Sequence, residues 1–413
     1  MNGTSEAPLR AVESISQAVD VSSERFQMGG VLTVSAGHAV HDTYTAFLNP
    51  LLPIFIANLA LSNAQAGLLT VFIRLPSLFQ PMIGHLSDRF HLRQFFILAP
   101  AASAAMMSLL GIAPNYAILA LLLVATGFSS ASLHAVGPAI VGRLSGRNLG
   151  RGMGFWMVGG ELGRTLGPIA IVSAVQFLHL DGMPCLMIVG ILASVVLWVR
   201  LKDVPGQHPS SVGQGQALPW RRALRQMGPL LPLVGVVLAR VFTIASLSTY
   251  LPILLRGEGA TLWFAGASLS VYEAAGVVGA LLGGAISDRL GRRPILFISM
   301  LAAPLLMFVF LTVSGVVAPL LLLLALGFTA LSVTPVIMAM VQENSPENRA
   351  LATGIYMAVN FVSSSVVVLI LGALGDWFGM RTPFIVSAVV SLLGLPFVFL
   401  LPKEGLRQDT GQA

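Results

Sequence analysis

Apolar residues run along this chain in stretches of about 20, separated by short polar turns, and about 20 is the number a helix needs to cross a hydrocarbon layer of roughly 30 Å. The stretches are continuous and lack the alternation of barrel strands, so the backbone in lipid must close its hydrogen bonds within helices. Spans are expected at about 31–57, 64–86, 94–113, 115–140, 153–178 and 183–201, then at 229–255, 262–286, 294–314, 317–341, 351–373 and 381–401. Between the two sets, 202–228 holds Pro205, Pro209, Ser210, Ser211 and a Gly/Gln run, which is linker composition. The expected organisation is a tail at 1–27, a six-helix bundle at 28–201, the linker at 202–228, a second bundle at 229–402 and a tail at 403–413. This is an all-α polytopic membrane protein with twelve transmembrane helices in two pseudo-symmetric halves.

Composition agrees with that pattern. Of 413 residues, 55% are hydrophobic and 10% charged, more apolar surface than a soluble core absorbs. The net charge of +6 is not gathered into a nucleic-acid-binding stripe; it marks orientation instead. With a cytoplasmic N-terminus, eighteen Lys and Arg fall inside and only Arg256 and Arg381 outside, so both termini are expected in the cytoplasm. Residues 1–27 mix acids and bases around no apolar core, unlike a signal peptide. The single cysteine, Cys185, excludes an intrachain disulfide and multi-cysteine metal sites, and is read as packing.

The two halves repeat at residue level. Gly84-His-Leu-Ser-Asp-Arg-Phe-His-Leu-Arg93 and Gly284-Ala-Ile-Ser-Asp-Arg-Leu-Gly-Arg-Arg293 share Gly, Ser, Asp, Arg and Arg at an offset of 200 positions, each after the second span of its half. This motif resembles the loop signature of the major facilitator superfamily. The resemblance implies a gate-side charge relay at Gly84, Asp88, Arg89 and Arg93, and at Gly284, Asp288, Arg289, Arg292 and Arg293. A narrower likeness lies in Gly37-His-Ala-Val-His-Asp-Thr-Tyr44, Ser77-Leu-Phe-Gln-Pro81, Gly127-Phe-Ser-Ser130 with His134, and Gly159-Gly-Glu-Leu-Gly-Arg-Thr-Leu-Gly-Pro168. These resemble the fosmidomycin-resistance branch of drug exporters. The chain departs from that branch at His41, where the branch has Asn, at Ala135 and Val136, which replace Pro-Glu, and at Glu161 and Arg164, which add charges. The likeness therefore supports the branch but does not carry its substrate over.

Charged groups at membrane depth are costly, by about 2.5–3.5 kcal/mol on insertion scales, and so face a cavity or a partner. His38, Asp42, Thr45 and Asn49 recur at helical steps and draw one polar stripe along the first span. Asp42 with His38 one turn away offers a group able to exchange protons near neutral pH, although a static His–Asp pair would use the same residues. His134 lies on the Gly127 face of the fourth span. Glu161 and Arg164, three residues apart, either neutralise each other or clamp a charged substrate. Glu273 stands alone in the eighth span, with Arg240 and Arg74 as candidate counter-charges, and Tyr250 and Asn360 are weaker cavity candidates. Gly159, Gly163 and Gly167, ending at Pro168, form a ridge without side chains that permits close helix approach, as do Gly276, Gly279 and Gly283. In the superfamily such a ridge marks antiporters, in which the fifth and eighth spans seal the cavity.

No catalytic constellation and no Gly-x-x-x-x-Gly-Lys-Ser/Thr loop is present, so neither an enzyme nor an ATP-driven pump is expected. The expected function is a proton-driven exporter of a small organic or amphipathic compound, in the bacterial inner membrane, working by alternating access as a monomer. It would have the lipid bilayer and a small-molecule substrate as partners, an ion gradient as its energy source, and no cofactor or resident metal. A proton-coupled solute importer and a lipid flippase of the same fold are the competing readings. Asp42, Glu273 or both are expected to carry the proton.

Overall fold

The computed structural model describes residues 26–80, 82–83, 93–146, 148–202, 231–344 and 349–401. They form helices, and no strand occurs among them. In chain order the first six are α1 (Met28–Thr45, resuming as Leu48–Leu59), α2 (Asn63–Arg74, continued by a 3-10 turn at Leu75–Phe79), α3 (Arg93–Ile112), α4 (Tyr116–Leu144), α5 (Leu149–Leu178) and α6 (Met183–Leu201). The rest are α7 (Leu231–Gly257), α8 (Leu262–Leu290), α9 (Arg292–Phe310), α10 (Val317–Glu343, breaking at Ser332), α11 (Arg349–Phe378) and α12 (Arg381–Leu400). Among the described residues, nine are long and apolar enough to cross a membrane; α1, α2 and α5 are not among them. Glu161 and Arg164 sit in the middle of α5, whereas α1 and α2 are interrupted.

The helices overrun the apolar stretches where a glycine does not yet stop them. α8 ends at Gly291 with φ 97° and α11 before Gly379 with φ 82°, left-handed conformations that glycine adopts without a Cβ clash. The predicted ends at 286 and 373 fall short because hydropathy marks the lipid layer and not the helix terminus.

The packing repeats when every helix number is raised by six. α1 lies on α5 and α7 on α11, α2 on α4 and α8 on α10, α3 on α6 and α9 on α12. The halves meet through α5 against α8 and, in the symmetric position, α2 against α11. Arg93 donates to the carbonyls of Leu201 and Lys202 (2.8 and 3.2 Å), and Arg293, 200 positions on, donates to Phe399 O (3.0 Å). Each arginine thereby satisfies carbonyls at the end of the last helix of its half.

Among the described residues, most hydrogen bonds between halves gather at the end bearing the 60–62 and 258–261 turns. Ile169 N donates to Ser270 Oγ (3.1 Å), and Trp263 Nε1 to Ser173 Oγ (3.1 Å). A Cβ on Gly67 would stand 2.3 Å from the Tyr250 hydroxyl, and one on Gly266 2.4 Å from Val172. Deeper in, α7 contains a π-turn at Ser246–Tyr250, and Asn49 of α1 donates to Ser248 O (3.0 Å).

Candidate functional site

Two polar clusters lie within the bundle. The first is built on α1. Residues 38, 41 and 42 face inward on adjoining turns, and all three side chains are buried. α5 lies unusually close to this face because its glycines present no side chain: Cβ atoms on Gly159, Gly163 and Gly167 would stand 2.4, 2.4 and 2.5 Å from the carbonyl oxygens of Ser35, Ala39 and Thr43. The glycine ridge thus packs on α1, while α5 meets α8 further along, where Gly266 approaches Pro168 O and Val172. The corresponding surface of α8, Gly276, Gly279 and Gly283, packs on Leu331, Phe328 and Ser332 of α10.

Within this close contact, the His38 ring stacks on Trp156 at 3.7 Å and meets the His134 ring edge-on at 5.0 Å. His38 Nδ1 lies 3.0 Å from Trp156 O, and His134 Nδ1 lies 2.9 Å from Ser130 O. A carbonyl only accepts, so both imidazoles carry a proton on Nδ1. Their Nε2 atoms face each other at 3.2 Å, and His38 Nε2 is 3.3 Å from Asp42 Oδ2. His134 Nε2 and His41 Nε2 stand 3.9 and 4.0 Å from Asp42 Oδ1. His41 is fixed on its other side by Ser103 Oγ (3.1 Å) and Ala99 O (3.4 Å). Asp42 Oδ1 and His41 Nε2 are buried without a hydrogen-bond partner among the described residues.

The second cluster joins the halves. Arg164 forms an ion pair with Glu161 one turn back, one of the two arrangements the spacing allows, and its side chain is half exposed. Glu273 of α8 has Arg164, Glu161 and Arg74 as electrostatic neighbours and accepts from Ser248 Oγ at 3.4 Å. One predicted counter-charge, Arg74, therefore acts on Glu273. Arg240 does not: it is buried and donates to Ala330 O (3.4 Å) and Thr334 on α10. Its own helix directs it into the second half, away from the boundary between halves.

Other predicted residues are placed differently. Tyr250 is fully buried and donates to Val368 O (2.6 Å), a packing role in place of the expected cavity role. Asn49 lies beyond the interruption of α1, so the polar stripe is broken after Thr45, whose hydroxyl bonds back to Asp42 O. Asn360 is half-buried on α11 and makes no side-chain hydrogen bond among the described residues. Cys185 is exposed, not packed.

In the loop motif, Gly84, Asp88 and Arg89 lie outside the described residues. In the second copy, Asp288 pairs with Arg292 (2.6 Å), and Arg292 reaches Glu343 on α10 (2.7 Å). The Gly284 Cβ direction is open, 3.8 Å from Pro335. The residues that sequence reading overlooked are Glu343, Trp156, Gly160, Ser248 and Asp376. Glu343 and Asp376 sit near span ends, where an acid reads as a water-facing anchor, and Trp156 and Gly160 have nothing in their local pattern to distinguish them from packing.

The family model described as Major Facilitator Superfamily matches residues 34–333 and 264–412. The fosmidomycin resistance protein of Escherichia coli (strain K12) is 23% identical over 394 residues, covering 93% of this chain and 95% of that one. The class G tetracycline resistance protein of Vibrio anguillarum is 26% identical over 377 residues, covering 84% and 92%. Among solved structures, a bacterial homologue of the human lysosomal transporter Spinster superposes with a TM-score of 0.77 at 14% identity, covering 92% of this chain and 97% of that one.

Proposed function

Since the chain belongs to the Major Facilitator Superfamily and is a multi-pass membrane protein, we propose that it is a proton-coupled antiporter exporting a small organic or amphipathic compound by alternating access. The observation that carries this reading is the charge cluster at the boundary between halves, where Glu273 of α8 lies within the field of Glu161 and Arg164 on α5 and Arg74 on α2. Glu273 is the proton carrier in this scheme. Its charged neighbours belong to the other half, so rocking the halves changes what stabilises its charge, and a carboxyl group whose partners alternate takes up a proton on one side and releases it on the other.

Export is supported by the resistance relatives, whose names describe drug resistance. The reading includes a location in the bacterial inner membrane with both termini cytoplasmic, and the Lys and Arg asymmetry between loops supports that orientation. The test is proton flux in proteoliposomes under an imposed pH gradient, with a panel of candidate compounds, for wild type and Glu273→Gln. The variant should bind compound yet lose gradient-driven transport, because the amide keeps the shape but cannot titrate. A wild-type proton-to-substrate ratio in Glu273→Gln would move coupling elsewhere. Compound accumulating in the direction of proton flow would make the protein an importer.

A further inference from the structure

The first cluster has an electrostatic problem that its own residues do not solve. Backbone carbonyls hold the protons of His38 and His134 on Nδ1, so two Nε2 lone pairs confront each other at 3.2 Å beside a carboxylate oxygen 3.3 Å from one of them. Asp42 Oδ1 adds a further buried acceptor with no donor among the described residues. Converging lone pairs in a largely buried site need a donor or a positive species between them.

We propose that His38, Asp42 and His134 form a binding site for a single divalent transition-metal ion of the zinc class. Their ligand atoms all lie within 4.8 Å of one another. Two atoms bound to one tetrahedral zinc at about 2.0–2.1 Å stand about 3.3–3.4 Å apart. The His38–His134 and His38–Asp42 Oδ2 separations of 3.2 and 3.3 Å match that edge; the 3.9 Å approach of His134 is to the other oxygen, Asp42 Oδ1, so a turn of the Asp42 carboxylate together with the partly exposed His134 ring brings one oxygen within reach of both imidazoles. Two imidazoles and one carboxylate suit zinc, cobalt or nickel and do not suit calcium or magnesium, which take oxygen ligands.

The surroundings are those of a metal site. The Nδ1–H to carbonyl bonds of both histidines are the outer-shell contacts that orient metal-bound imidazole. Gly160 leaves the space: a Cβ there would stand 2.5 Å from His38 Cε1, 2.7 Å from its Nε2 and 3.1 Å from Asp42 Oδ2. Three protein ligands leave a fourth tetrahedral position open, and entry is from the side of His134, since His38 and Asp42 are buried. Arg164 is the fixed cation that acts on the cluster, and Glu161 takes up its charge.

The probe is Co2+, added to the full-length, tag-free protein in detergent, with ZnCl2 as competitor. One equivalent should bind and give the intense visible bands of tetrahedral cobalt, which Zn2+ abolishes. His38→Ala, Asp42→Asn and His134→Ala should each weaken binding at least about tenfold, whereas Cys185→Ser should not change it. Each variant is first shown to be monodisperse and helical without metal, and His38→Gln or His134→Gln replaces any that fails. Absence of stoichiometric binding would mean that the cluster holds only a proton, and binding that survives all three substitutions would mean an adventitious site; either result overturns the proposal.

Discussion

Asp376, at the far end of α11, completes the start of α2: its carboxylate accepts from Asn63 N (2.7 Å), Asn63 Nδ2 (2.8 Å) and Ala64 N (3.1 Å). The next amide, Gln65 N, donates to Ser62 Oγ, and Gln65 Oε1 accepts from Ser62 N. The exposed amides of the first turn are thus satisfied partly by a residue 313 positions away, in the other half. Separating the halves at this end strips the first two amides of their acceptor.

Asp376→Asn should therefore favour the state open at this end. The pair is exposed, so the expected effect is roughly 1 kcal/mol, a several-fold shift in population. Distances between spin labels at 61 and 378 measure it; an unchanged distribution would make the contact incidental.

Gly163→Ala should separate α1 from α5. The added methyl group would meet Ala39 O at 2.4 Å and Asp42 Cβ at 2.9 Å, and backbone cannot yield as a flexible side chain does. The expected cost is about 1–3 kcal/mol, read as a lower melting temperature in detergent. Gly154→Ala, which meets nothing within 4 Å, is the control and should not lower it.

Arg292, at the start of α9, links Asp288, at the end of α8, to Glu343 at the end of α10. Glu343→Gln and Asp288→Asn should each slow transport while leaving membrane insertion intact, and the double variant should cost less than the two single losses added together, because both act through one arginine. Transport rates in proteoliposomes at equal protein density decide this; full additivity would separate the two acids.

Arg93→Gln and Arg293→Gln should behave alike, since each removes a donor from the carbonyl end of the last helix in its half. Hydrogen exchange should rise at 199–202 in the first variant and at 397–401 in the second, with little effect on the opposite half. Exchange spread over both halves would mean that the two arginines act on the gate and not on their own bundles.

The long apolar stretches, the 200-residue repeat and the Glu161–Arg164 pair were legible because each is local or periodic. The closeness of α1 and α5 was also legible, in the four-residue spacing of glycines, but the identity of the partner helix was not, since a ridge says that something approaches and not what. His134 joins His38 from 96 positions away, and Arg240 turns from Glu273 toward Thr334. Such pairings depend on rotation of one helix about its axis relative to another. Hydropathy averages over that rotation.

One such rotation is built into α7. The π-turn at Ser246–Tyr250 holds one residue more than a regular turn would, so every side chain beyond it is advanced by about 100°. The turn works as a vernier between two otherwise ordinary helical segments. Without the extra residue, the Tyr250 hydroxyl would leave both Val368 O and the hollow made by Gly67. A deletion within the turn would thus be felt one turn further on, at the closed end of the protein, as a key cut correctly but inserted a notch out of phase.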